Sequence, residues 1–301
     1  MPRSAPRPGR ISHEAGDPDL ASAHAENWPR RTAPACRGSA RLIVKLAGRV
    51  ALITGGTRGI GCGIAEAFLA DGARVVVNGR SPEKGARCLV QLAAGERAHF
   101  IAGDVRVQAD VERVVDETIA RYGRIDVLVN NAGGSSGYAP VAQLSDEAWR
   151  EALDWMLNAT FWATRRALRD MLPRRWGRII NISSVEGKQA NKHAVAHYIT
   201  NKHAINGFTK AVAFENGALG ITCNAILPGA VETDLMRDHG PAAAEAAGIS
   251  YAQFLDRYAQ QAAIKRLNTA EEIAAVAVLL ASEAGGGITG ALLDVDGGSA
   301  L

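Results

Sequence analysis

The sequence predicts one α/β domain over residues 46–301, a doubly wound parallel sheet of about seven strands with helices on both faces, preceded by an extension of residues 1–45. Three observations carry this. Short apolar runs rich in β-branched residues alternate with helical periodicity along the body of the chain, an order satisfied by parallel pairing with right-handed crossovers. The first of these runs ends in a glycine-rich turn that opens a helix. Finally, 47% of the 301 residues are hydrophobic and 22% charged, enough apolar material for one large core or two small ones.

The first strand is read in Val50-Ala-Leu-Ile53, a continuous apolar run that predicts burial on both faces. It passes through Thr54-Gly-Gly-Thr-Arg-Gly-Ile-Gly61 into a helix in which Ile64, Phe68 and Leu69 share one face while Glu66 and Asp71 stay wet. Gly55, Gly59 and Gly61 lack Cβ atoms, so the backbone can turn sharply and come close to a pyrophosphate, which the helix's free N–H groups and dipole would favour. This is the pattern of a dinucleotide site.

Arg74 to Val77 gives a second strand, and Ser81-Pro82-Glu83 opens a helix with an N-cap and an N1 proline. A third strand, Ala98 to Ile101, ends at Gly103-Asp104. A helix over 110–122 leads to a strand from Ile125 to Val129 and then Asn130-Asn-Ala-Gly133. One long helix over 146–171, a strand over 178–182, a helix over 196–216 and a strand over 221–225 follow. From Gly229 to Arg266 the rhythm breaks into helical fragments without a strand, which predicts a lid over a pocket at the carboxyl ends of the strands. Thr269 to Glu272 reads as a capping start for the next helix, and Leu292 to Val295 as the last strand.

No run of 18 apolar residues occurs, so no transmembrane span is expected, and the start shows no secretory leader pattern. Cys36, Cys62, Cys88 and Cys223 lack metal-ligand or disulfide-framework spacing and predict free thiols in a reducing cytoplasm, with no metal site. The net charge is +3, but the first 45 residues carry an excess of +4, which leaves the body near −1. Such a balance gives no reason to expect nucleic acid or an anionic membrane as partner. The extension, rich in Pro, Ala, Arg and Gly, predicts disorder. Its Arg, Ser and Ala content fits a transit peptide and its four acids count against one; an extension without function, including an upstream misassigned start, is the expected reading.

Candidate chemistry centres on Tyr198 and Lys202, four apart in a predicted helix and so on one face. A nearby ammonium would favour the phenolate, so the pair could hold a tyrosinate or a readily donated proton near neutral pH, although the same spacing also describes a solvated helix face. Ser184, with Ser183 at the carboxyl end of a strand, offers a hydroxyl that could hold a substrate oxygen for proton transfer from Tyr198. Asn158 is an amide inside an apolar stretch and could anchor a water feeding protons to Lys202.

Together these motifs resemble the short-chain dehydrogenase/reductase family. The matches are Thr54-Gly-Gly-Thr-Arg-Gly-Ile-Gly61, Asp104-Val105, Asn130-Asn-Ala-Gly133, Asn158, Ile182-Ser-Ser184, Tyr198-Ile-Thr-Asn-Lys202 and Asn224-Ala-Ile-Leu-Pro-Gly229 leading to Thr233, spread from about Leu46 to Ser299. The resemblance implies a Rossmann-type fold and a nicotinamide-dependent oxidoreductase that interconverts a ketone and a secondary alcohol. It implies a catalytic set of Asn158, Ser184, Tyr198 and Lys202, with Tyr198 the acid or base and Ser184 orienting the reacting oxygen. For the cofactor it implies Gly55, Thr57, Arg58, Gly59, Ile60, Gly61, Arg80, Asp104, Val105, Asn131, Ala132, Gly133, Tyr198, Lys202, Pro228, Gly229, Val231 and Thr233. It further implies a homotetramer built on the two long helices.

An acid near the end of the second strand would bind ribose hydroxyls and repel a 2′-phosphate; here that region reads Asn78-Gly79-Arg80. With Arg58 and Arg80 available for a phosphate, NADP(H) is expected, and NAD(H) stays open. The likeness is to 3-oxoacyl-carrier-protein reductases and relatives acting on small ketones and alcohols. A basic cluster, Arg174, Arg175 and Arg178, near the expected site would suit docking of an acyl carrier protein, while Leu219 in place of a basic residue counts against it. Other stretches are similar to 3-hydroxybutyrate dehydrogenases, but Glu186 and Val195 stand where a His and a Lys would hold a hydroxy acid. The loop from Glu186 to His197, with Lys188, Lys192 and His193, reads as solvated. A non-catalytic NADP(H)-binding sensor is the alternative of another class, and the intact Tyr198 and Lys202 weigh against it.

Overall fold

Seven parallel strands form one sheet in the order β3-β2-β1-β4-β5-β6-β7 in the computed structural model, which describes residues 45–299. In chain order they are β1 (Val50–Ile53), β2 (Arg74–Gly79), β3 (Ala98–Ala102), β4 (Val127–Asn130), β5 (Gly177–Ile182), β6 (Ile221–Pro228) and β7 (Leu292–Val295). The expected extension lies outside the described residues, apart from its last position. Chain order reverses across β1, which pairs with β2 on one side and β4 on the other, Leu52 lying opposite both Val76 and Leu128. In such sheets the crevice at that switch point is where ligands bind.

The strands bury both faces, as their continuous apolar runs require. Ala51 and Ile53 of β1 and Val75 and Val77 of β2 face a layer containing α1 (Gly59–Ala70) and α9 (Ala270–Ala281), where Ile64, Phe68, Ile273 and Leu280 are fully buried. Leu52 and Val76 point the other way, onto α3 (Gln108–Tyr122) and α5 (Ala159–Arg174), through Val114, Val115, Ala163 and Met171. The local start signals hold. Ser81 caps α2 (Pro82–Leu92) by accepting from the Lys84 N–H, with Pro82 at the first position. Thr269 and Glu272 form a reciprocal capping box on α9.

The expected long helix over 146–171 is interrupted. It consists of α4 (Asp146–Leu153), a π turn over Asp154–Asn158, and α5. A π turn adds a residue to the helix and resets which side chains face the crevice, so it recurs at functional positions. Helix α6 (Ala196–Asn216) has the expected bounds. The lid folds as α7 (Asp234–Ala246) and α8 (Tyr251–Gln261), the latter opened by a Ser250/Gln253 capping box, and an isolated bridge pairs Val231 with Asn268.

Cys62 on α1 and Cys88 on α2 are free thiols whose sulfurs helix packing brings to 4.0 Å. One expectation needs correction: the arginine cluster is not near the site. Arg178 sits near the amino end of β5, opposite the strand ends that carry Ser184, and is only 4% exposed. Arg174 is consumed by fully buried Asp126 (2.9 Å) and by Asp170 (2.6 Å), leaving Arg175 as the exposed member. Burial of a carboxylate demands compensating cations, and these two arginines are committed inward to internal partners. Among the described residues no helix is long and apolar enough to cross a membrane, and no group of three or more metal-type side chains converges.

Candidate active site

Strand β1 delivers the chain to the crevice with Thr54, whose hydroxyl accepts from the Asn131 and Ala132 N–H groups at 3.1 Å and so joins the ends of β1 and β4. The Asn131 side chain donates to the Thr54 and Gly55 carbonyls at 3.0 Å. Two glycines are required here. Gly59 has φ +54°, the left-handed region. A Cβ on Gly61 would lie 2.5 Å from the Asn131 amide. Helix α1 begins at Gly59 with no side-chain cap from Arg58, so its first N–H groups are available to an anion.

What approaches them instead is the lid. Asp234 accepts from Gly59 N at 3.3 Å, and Asp238 pairs with Arg58 at 2.8 Å. Carboxylates of α7 therefore meet the anion-binding end of α1. The Thr233 side chain comes equally close, 3.2 Å from where a Gly59 Cβ would be. Thr57 lies against Gly79 at the end of β2, and Ile60 packs into the α1 core. Pro228 ends β6, Gly229 N donates to Val295 O, Val231 is buried in the bridge to Asn268, and Gly133 lies beside Met156 and Lys202. Most of these residues gather at the carboxyl ends of the strands, while Ile60 and Val231 pack into the α1-side core and Val105 is turned into the α3 core.

At the rim beyond β2 and β3, Arg80 is exposed and its guanidinium lies 5.5 Å from the centre of the Trp155 ring. Asp104 is gripped by Arg106 through Nε (3.1 Å) and Nη2 (2.6 Å), and that guanidinium holds its carboxyl below the usual carboxylate range. Arg106 also donates to Glu151 at 2.6 Å, and Glu151 accepts from Ser136. Sequence reading missed Arg106, Glu151 and Trp155; only Arg106, two residues after Asp104, carried a local signal.

The chemistry-bearing side chains converge where β5 ends. Ser183 N continues the ladder to Ile226 O at 2.8 Å, and Ser184 is extended before a 3₁₀ turn, Val185–Gly187. Two bonds tie this end to α6: Lys202 Nζ donates to Ile182 O at 2.8 Å, and Ser183 Oγ to Lys202 O at 3.2 Å. Helical spacing then brings Tyr198 to the same face, its ring centre 5.5 Å from Lys202 Nζ, with the Ser184 hydroxyl among the groups that act on its phenol.

Of the two states left open for Tyr198, burial disfavours the tyrosinate. Burial pushes the Tyr198 phenol above its ordinary value, opposed by the Ser184 hydroxyl. Burial also pulls the Lys202 ammonium down to about 8. Desolvation thus outweighs the attraction expected from four-residue spacing and favours the protonated phenol. Asn158 ends the π turn half-buried, and its amide donates to Asp154 Oδ1 at 2.7 Å rather than reaching Lys202. Among the loop residues, Lys188 is bound to Asp294 at 2.7 Å and His197 is fully buried, its Nε2 3.0 Å from Ser136 O.

Residues 49–244 match the family model for short chain dehydrogenase. D-beta-hydroxybutyrate dehydrogenase of Cupriavidus necator is 37% identical over 255 residues, covering 84% of this chain and 98% of that protein. The 3-oxoacyl-[acyl-carrier-protein] reductase FabG of Aquifex aeolicus is 35% identical over 257 residues, covering 85% and 98%. Among solved structures, a single-residue variant of actinorhodin polyketide ketoreductase with NADPH superposes with a TM-score of 0.79 at 38% identity, over 84% of this chain and 97% of that one. The crevice, built on uncapped N–H groups at the head of α1 and a tyrosine, serine and lysine at the end of β5, has the donor set a nicotinamide dinucleotide needs. The chain belongs to the short-chain dehydrogenase family, on its 3-oxoacyl-carrier-protein reductase-like branch, and is an oxidoreductase of alcohol and carbonyl groups that uses a nicotinamide cofactor.

Proposed function

We propose that this chain reduces a small or 3-oxoacyl-type ketone to a secondary alcohol, and runs the reverse, with NADP(H) as the preferred cofactor and Tyr198 as the proton donor or acceptor. The observation that carries this is the convergence of Ser184, Tyr198 and Lys202 where β5 ends, in the crevice that holds the glycine turn. When bound, the dinucleotide supplies or accepts the hydride. The rest falls to side chains. Ser184 and Tyr198 bracket a carbonyl oxygen, two donors where negative charge grows as the carbonyl becomes an alkoxide. Tyr198 then delivers its proton, and burial, by keeping the phenol protonated, suits that role. Lys202, fixed by Ile182 O, presents positive charge behind the phenol as it becomes an anion and would hold the nicotinamide ribose. Asn158 braces the π turn through its bond to Asp154 as a positioning residue.

The preference for NADP(H) rests on Arg80 just beyond β2 and Arg58 at the head of α1, while the acid at the neighbouring strand end, Asp104, is already paired with Arg106. A homotetramer is supported by apolar side chains left in water on the long helices, Phe214 being 92% and Phe161 40% exposed. A reducing, cytoplasmic setting fits two sulfurs 4.0 Å apart that remain unbridged. Carrier-protein docking through Arg174 and Arg178 is not part of the proposal, since both point inward. The test is Tyr198→Phe: kcat/KM for ketone reduction should fall about 10²- to 10⁴-fold with NADPH binding retained. Equal slow oxidation of NADPH by both proteins on every ketone tried would overturn the reading in favour of a sensor.

A further inference from the structure

Glu186 lies two residues beyond Ser184, in the 3₁₀ turn that ends β5, and is fully buried. Among the described residues neither carboxyl oxygen has a hydrogen-bond partner. Its charge partner there is Lys192, 3.4 Å away on the loop before α6, and the Lys192 ammonium in turn sits 5.4 Å from the ring centre of Tyr258 on lid helix α8. A carboxylate taken out of water normally collects two or three donors; one left with most of its acceptor capacity empty costs folding free energy, which a ligand's donors can recover. The space it faces is a small open recess between the β5 turn and the lid, with the amides of Gln189, Asn191, Gln261 and Asn268 in its wall. The recess adjoins the reacting centre, since Val185 in its wall follows Ser184 directly and the Glu186 N–H donates to Ser184 Oγ at 3.2 Å.

We propose that Glu186 is a substrate-specificity residue that accepts a hydrogen bond from a hydroxyl on the substrate beside the reacting carbonyl, selecting hydroxylated ketones over alkyl ketones. This rests on the carbonyl reduction proposed above and names its substrate class. A neutral hydroxyl suits the site better than an ammonium, because Lys192 already balances the charge. It can donate to Glu186 while accepting from Lys192, and the surrounding amides offer both donors and acceptors to further hydroxyls. A carboxylate or a phosphate on the substrate would instead meet an unsatisfied anion.

The probe pair is 4-hydroxy-2-butanone and 2-pentanone, which differ by a hydroxyl in place of a methyl, with 4-amino-2-butanone as a third ketone. The wild type should favour the hydroxyketone over 2-pentanone by at least about tenfold in kcat/KM. Glu186→Leu should bring the ratio to one or below, and Glu186→Gln, which keeps one acceptor, should fall between. NADPH binding reports that each variant is folded, and their Tm values should equal or exceed the wild type's, which a purely structural carboxylate would not allow. A wild-type ratio near one, a ratio unchanged in both variants, a lower Tm in both, or a stronger preference for the aminoketone each overturns the inference while leaving carbonyl reduction standing. No turnover of any of the three by the wild type overturns both.

Discussion

Replacing Lys202 by Met should make the protein more stable as it makes it inactive. The side chain is 5% exposed, and burial lowers its ammonium from 10.5 to about 8. Because the folded value lies below the unfolded one, the unfolded chain binds more protons between those limits, so the wild type gains stability as pH rises from about 8 to 10.5. Below about 8 the full penalty is present. At about 1.4 kcal/mol per unit of pKa, holding Lys202 charged at pH 7 costs about 3 kcal/mol. Methionine of similar length removes that cost but leaves Ile182 O without its 2.8 Å donor, worth about 1 kcal/mol. The net expectation is a gain of about 2 kcal/mol at pH 7, or about 4–8 °C in Tm for a chain of this size. Calorimetry or urea titration of both proteins without cofactor, at pH 7 and pH 10.5, checks it. The gain should shrink to zero or reverse at the higher pH. A Lys202→Met protein that melts lower than wild type at pH 7, or whose advantage survives unchanged at pH 10.5, would refute the assignment of that shift to burial.

Gly61→Ala should put a methyl within 2.5 Å of the Asn131 amide, costing about 1–3 kcal/mol and abolishing NADPH binding, as read by nucleotide fluorescence and thermal melting. Arg80→Ala should weaken NADPH about tenfold while leaving NADH nearly unaffected, measured as two dissociation constants. Asp238→Asn should release Arg58 from the lid and tighten NADPH by a few-fold; because that ion pair is exposed, a change above about tenfold would mean the lid does more than compete for the arginine.

Much of this was legible in the sequence because it is local. Ser81-Pro82, Thr269 to Glu272 and the bounds 196–216 of α6 follow from capping chemistry and apolar periodicity within a few residues. The π turn was not legible, since apolar spacing through Trp155 and Met156 is compatible with an uninterrupted helix and one inserted residue leaves no compositional mark. Nor was the 4.0 Å approach of Cys62 and Cys88, 26 positions apart on different helices.

The sequence alone determined the strand and helix order, the glycine turn and the pairing of Tyr198 with Lys202, because propensity, periodicity and steric freedom act over one or two turns of chain. Only the tertiary structure decided the charges: that Arg174 and Arg178 are drawn inward, that Asp104 belongs to Arg106, that Tyr198 is a half-buried phenol, and that Glu186 lies dry behind Ser184. Electrostatic energies depend on distance through space and on exclusion of water, and neither is set until the layers have packed.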